Sequence, residues 1–258
     1  MILHAENLRF GYDGRHVLTG LEFELAAGEM LAVLGPNGVG KTTLLKCLSA
    51  MHKPTGGAVL VEGLDVFRMA RAEVAKRLGY VAQRAEAGRL TAFDAVLLGR
   101  KPHMGWRASD RDLRMVEAAL RHVGLDHLAL RSIDRMSGGE LQKVCIARAL
   151  VQEPRIMLLD EPTSSLDLRN QLEVLRTIRH VAEGHGVAVV MTMHDLNTAL
   201  RFAHRLLFIK GGRAHALTTP DELRSETIEA VYGVAADIVR HGGRPFIIPK
   251  DIREEDPS

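Results

Sequence analysis

Residues 35 to 43 read Gly35-Pro36-Asn37-Gly38-Val39-Gly40-Lys41-Thr42-Thr43. Two glycines with four residues between them, followed at once by Lys and Thr, can wrap a polyphosphate. The glycines let successive backbone N–H groups turn inward around an anion. A helix starting after Gly40 aims its positive end at the same charge. Lys41 then sits as a point charge between two phosphates, and the Thr42 hydroxyl offers a hard oxygen to Mg²⁺. A plain glycine-rich turn would not require Lys and Thr at that offset.

A second cluster lies far along the chain. The apolar run Ile156 to Leu159 ends in Asp160-Glu161. An aspartate at the end of a buried strand can hold Mg²⁺ through its water shell, and the next carboxylate can orient an attacking water. Such acid–base help is typically worth about 10²–10⁴ in rate. Alone, an apolar run followed by two acids often marks a solvated strand end. Downstream of the phosphate loop, it gains meaning. A third element, Met136-Ser137-Gly138-Gly139-Glu140, opens a helix with Ser137 as N-cap and Glu140 completing a capping box. That is a sound structural helix start, and also an anion site.

These groups need a frame. Residues 1–34 alternate as strands with turn signals at Asp13-Gly14 and Ala27-Gly28, and Met30 to Leu34 is a buried strand leading into Gly35. A helix is expected over 41–50, short strands over 54–67, a helix over 68–78 and a strand over 79–82. Residues from about 91 to 150 carry amphipathic helical spacing, as in LRMVEAALRHVGL. Strand 155–159, helix 170–183, strand 187–193 and helix 197–203 follow. A hairpin turning at Gly211-Gly212 leads to a helix around 221–231. The expected architecture is α/β: a P-loop nucleoside-triphosphatase core with a mixed sheet, an antiparallel β subdomain and an inserted helical subdomain at about 85–150. One domain spans 1–240. The tail, 241–258, is expected to fray at its acidic end.

Composition narrows the function classes. The 258 residues carry 34 basic and 32 acidic side chains, a near-balance that argues against a nucleic-acid partner. Cys47 and Cys145 sit among apolar residues and read as buried free thiols, which fits a reducing compartment. The N-terminus lacks the apolar core of a secretion signal. No apolar stretch approaches the roughly 20 residues of a spanning helix, so membrane work is expected to run through a partner.

In combination these motifs resemble the ABC ATPase family, because SGGE stands just upstream of PRIMLLDEPTSSLD. The resemblance covers essentially the whole chain and implies ATP and Mg²⁺ as cofactors. It assigns Tyr12, in FGYDG, to stacking on adenine. It assigns Gln83, in YVAQR, to sensing Mg²⁺ and the attacking water and to linking the site to a membrane partner. Lys41, Glu161 and His194, in MTMHDLN, join Gln83 as catalytic residues, and Thr42, Gln83 and Asp160 as Mg²⁺ contacts. Ser137, Gly138 and Gly139 would touch the γ-phosphate held by a second subunit. Ser164-Ser165-Leu166-Asp167 would couple the paired sites, placing Asp167 among the nucleotide contacts. Met136 stands where leucine is usual, and Val39 where serine is frequent. His194-Asp195 lacks a convincing third metal ligand.

A narrower resemblance is to importer ATPases for iron-siderophore, haem and cobalamin uptake. It is carried by FDAVLLGRKPHMGW, HDLNTALRFAHRLLFIKGG and ETIEAVYGV with GRPFIIP. It implies a homodimer on the cytoplasmic face of the membrane, bound to permease subunits and served indirectly by a substrate-binding protein. Arg100, Lys101, His103 and Trp106 are then candidate permease contacts. A molybdate or tungstate importer, or a soluble family member in iron–sulfur assembly, fits the same motifs.

Overall fold

The structure is a computed structural model that describes residues 1–83, 89–164 and 166–250. Two antiparallel strands open the chain, β1 (Leu3–Tyr12) and β2 (Arg15–Leu25). Next, β3 (Met30–Leu34) runs through the glycine loop into α1 (Lys41–Leu48). Strands β4 (Gly56–Val61) and β5 (Leu64–Asp65) return to the first pair, giving a four-stranded antiparallel sheet in the order β2-β1-β4-β5. Helix α2 (Arg71–Arg77) starts three residues later than its spacing predicts, because Ala70 is extended and serves as the N-cap residue. Strand β6 (Leu78–Val81) follows.

Three helices then form a lobe: α3 (Ala92–Leu97), α4 (Asp110–His122) and α5 (Gly138–Leu150). Each has a side-chain cap at its start. Thr91 accepts from Asp94 N, and Ser109 and Ser137 complete capping boxes with Asp112 and Glu140. The lobe buries its own apolar cluster, with Val96, Val116, Leu120 and Val144 at its centre. It is therefore a packed unit and not a long surface loop.

The chain re-enters the core through β7 (Ile156–Leu159), α6 (Leu168–His185), β8 (Ala188–Thr192), α7 (Leu196–Phe202), β9 (Arg205–Lys210) and β10 (Arg213–Thr218). The six-stranded sheet runs β10-β9-β3-β8-β7-β6, parallel except for the β9–β10 hairpin at its edge. Strands β3, β7 and β8 are buried at every residue, as expected of central parallel strands covered on both faces. Their C-terminal ends carry the glycine loop, Asp160 and Thr192. Ligands bind at that edge of such sheets.

Helix α8 (Ser225–Tyr232) precedes a final hairpin, β11 (Ala236–His241) with β12 (Arg244–Pro249). Residues 244–249, expected as part of a tail, are therefore paired strand. Ile247 is buried, and its N–H and C=O are both bonded to the Asn197 side chain. The acidic end, 251–258, and residues 84–88 at the entry to the helical lobe lie outside the described residues.

Candidate functional site

The glycine loop owes its shape to close approach. Gly35 and Gly40 have φ of +148° and +106°. A Cβ on Gly35 would lie 2.5 Å from the Ile209 carbonyl oxygen, and one on Gly40 3.0 Å from Val17 Cγ1. Only glycine fits either place. Val39 is partly buried and packs on the neighbouring apolar core. Lys41 is buried and donates to the Gly35 carbonyl at 2.7 Å and the Pro36 carbonyl at 3.1 Å. Burial lowers its pKa, and Glu161 and Asp160 work against that shift. The ammonium is thus held against the loop by carbonyls that a phosphate oxygen can replace.

Thr42 and Asp160 meet across 118 residues of chain, with Thr42 Oγ1 donating to Asp160 Oδ1 at 3.2 Å. The same carboxylate oxygen accepts from Thr192 Oγ1 at 2.8 Å, and Thr192 Oγ1 accepts from the Glu161 N–H at 2.8 Å. Asp160 is 2% exposed. The Thr42 hydroxyl and the buried Asp160 carboxylate are hard oxygen donors of the kind Mg²⁺ takes. Thr42, Asp160 and Gln83 would hold it, and the ion would neutralise charge on the terminal phosphates.

Glu161 sits in the left-handed region at φ +48°, a conformation that costs a non-glycine residue about 1–3 kcal/mol and is typical of functional turns. Its carboxylate is held from both sides. Gln83 Nε2 donates to Oε2 at 2.5 Å, and His194 Nε2 bonds Oε1. So strands β6, β7 and β8 each deliver one member, just past their C-terminal ends.

A cleft of about 300 Å³ joins these parts, lined by Tyr12, Asn37, Gly38, Lys41, Thr42, Thr43 and Glu161 among others. Tyr12 is half-exposed at its mouth. It packs edge-on against Phe10 at 4.9 Å and His52 at 5.8 Å, with Phe10 and His52 stacked at 5.2 Å. This aromatic wall gives a flat base something to stack on.

Four of the expected contacts lie elsewhere. Ser137, Gly138 and Gly139 are not among the cleft's lining residues; they begin α5. Asp167 caps α6, accepting from Asn170 N at 2.8 Å and Asn170 Nδ2 at 3.0 Å. The two helix starts touch: a Cβ on Gly139 would come within 2.7 Å of the Asn170 side chain. Ser165, of the loop before Asp167, lies outside the described residues.

Arg100 is corrected from a surface contact to a buried tie. It is 3% exposed and bonds Asp112 Oδ1 at 2.8 Å, the Val151 carbonyl, and Glu153 Oε2 at 2.8 Å. The guanidinium fastens α4 to the end of α5. Lys101, His103 and Trp106 are exposed, Trp106 fully at 104%. Sequence reasoning missed Thr192, Asn170 and His52. Thr192 left a trace, a single hydroxyl in the apolar strand before His194.

The fold and site together define a nucleotide-binding cassette with a phosphate loop and, facing it across the Thr42–Asp160 bond, the adjacent carboxylates Asp160 and Glu161. The family described as ABC transporter matches residues 18–164, and the chain belongs to that family as its ATP-binding subunit. It is 43% identical to the hemin import ATP-binding protein HmuV of Pseudomonas aeruginosa, over 96% of this chain and 100% of that protein. Among solved structures, it superposes with TM-score 0.85 and 31% identity on a chain of a putative metal-chelate type ABC transporter in an inward-facing conformation, covering 97% of each. A dimeric ATP-binding cassette in a post-hydrolysis state, bound to ADP and Pi, matches with TM-score 0.74 and 27% identity over 84% of this chain and 98% of its own.

Proposed function

We propose that this protein is the ATP-hydrolysing motor of a membrane importer for metal chelates of the haem or siderophore kind. It works as a pair of identical subunits docked on permease subunits at the cytoplasmic face. The observation that carries the chemistry is the grip on Glu161 by Gln83 and His194, one residue beyond the carboxylate that meets Thr42. In the proposed step Glu161 accepts a proton from water as that water attacks the γ-phosphate. Gln83 and His194 fix the carboxylate's orientation. Lys41 leaves its two carbonyls to meet the β- and γ-phosphate oxygens. Loop N–H groups and the start of α1 cradle the remaining charge.

The reading uses two copies because Ser137 to Gly139 are not among the residues that line the cleft. A second subunit would bring its own α5 start over the γ-phosphate, closing each nucleotide between unlike faces. Hydrolysis removes the bridging charge and lets the pair open, a two-state element biased by its ligand. The cargo class is supported by likeness over the full length to the hemin import subunit and the metal-chelate transporter chain. No helix among the described residues is long and apolar enough to cross a membrane.

The test is recovery of tagged protein from detergent-solubilised membranes, with partners identified by mass spectrometry and ATP turnover measured on the eluate. A polytopic permease that brings a haem- or siderophore-binding protein supports the reading. Intact membranes that yield soluble partners alone, with ATP turnover retained, contradict the importer while leaving the ATPase standing.

A further inference from the structure

The final hairpin has two unlike faces. Ile238 pairs with Ile247, and Ile247 is buried against the core. On the opposite face, Val239 pairs with Phe246, and Ile248 lies two residues on; all three are exposed. Alternation puts them on one side of the ribbon. Phe246 also lines a groove of about 450 Å³ whose other apolar wall is Leu168 and Leu172 of α6. Leu168 is 72% exposed, although it opens a helix whose later apolar residues are buried. An apolar strip therefore runs from the start of α6 across the hairpin.

Its position is informative. Leu168 directly follows Asp167, and the groove's polar wall includes Asp195, which directly follows His194. The strip borders the loop assigned to coupling the paired sites. Its rim carries both signs of charge: Arg201 and Arg244 line the groove, with Asp195 beside them. A two-fold interface uses the same patch on both copies, so an apolar centre with rims of both signs can complement itself. This chain is also longer than the dimeric cassette bound to ADP and Pi, which matches over 98% of its own length but 84% of this chain.

We propose that Leu168 and the outer face of the β11–β12 hairpin form a second contact between two copies of this chain, beside the nucleotide-bridged one. The inference rests on the paired-subunit reading and adds a contact that does not depend on ATP. A few well-packed residues near the centre of a contact carry most of its binding energy.

The experiment uses the full chain with Glu161→Gln, which holds ATP, and measures the monomer–dimer constant by sedimentation. Phe246→Ser and Leu168→Ser should each weaken the dimer by about tenfold, while ATP affinity of the monomer stays within about twofold. Phe246→Cys provides a positive readout, since both native cysteines are buried. In the permease-bound complex, a bis-maleimide should join the two copies to each other. A dimer that forms equally well with Phe246→Ser, or a cross-link that captures permease instead, overturns the proposal alone. A parent that stays monomeric with ATP overturns the paired reading and this contact together.

Discussion

The Thr192 hydroxyl oxygen accepts from the Glu161 backbone N–H at 2.8 Å and so pins Glu161 to the neighbouring strand. The same hydroxyl donates to Asp160, so one buried side chain ties the Asp160 carboxylate to the Glu161 backbone. Thr192→Val keeps the shape and removes both bonds. It should cost about 1–3 kcal/mol of stability, because a buried N–H and a carboxylate oxygen lose a partner. Turnover should fall more than ATP affinity does, since the phosphate loop is untouched. Thermal unfolding together with a KM-against-kcat comparison checks this. Unchanged kcat in a destabilised protein would reduce Thr192 to a packing role.

Gly139→Ala places a methyl group within 2.7 Å of the Asn170 side chain. Overpacking of this kind costs about 1–3 kcal/mol, and here it also shifts the helix start that carries Ser137. Asn170→Ala opens the space at the expense of its bond to Asp167. The double variant should regain part of the loss, with a coupling of about 0.5–3 kcal/mol in a double-mutant cycle. Additive losses would mean that the two helix starts do not press on each other.

The Asp112 carboxyl is held well below the usual carboxylate range, first by the Ser109 hydroxyl and N–H and then by Arg100. A depressed folded-state pKa stabilises the protein above the unfolded value of about 3.9, and that contribution is lost as pH falls through the folded value. Asp112→Asn should therefore lower the unfolding temperature at neutral pH. The gap from the parent should narrow as pH drops below about 4. A gap that stays constant with pH would place the effect in helix capping alone.

Much of the site was legible because phosphate chemistry demands contiguous residues. The loop from Gly35 to Thr43 and the pair Asp160-Glu161 are local patterns, and the structure brings them together through Thr42 and Asp160. Gln83 and His194 could be placed only through family likeness, since a lone amide or imidazole has no periodicity to announce it. Arg100 shows the opposite failure. An arginine in a polar stretch reads as surface, yet its partners Asp112 and Glu153 are 12 and 53 residues away and visible only once the lobe is folded. The hairpin at 236–249 was hidden by the short GGRPFIIP run. Its partner strand carries Asp, Arg and His, and pairing rather than composition makes it a strand.

The measurement that bears most directly on the central claim is ATP-dependent association of the Glu161→Gln chain, followed by sedimentation and by phosphate release. Glu161→Gln should bind ATP, slow hydrolysis by about 10²–10⁴, and accumulate as an ATP-bound dimer. Adding Lys41→Ala removes charge-assisted bonds worth about 1.5–3 kcal/mol and should return the chain to monomer. Parental turnover in Glu161→Gln, or a chain that binds ATP yet never pairs, would contradict a site completed by two copies around Glu161.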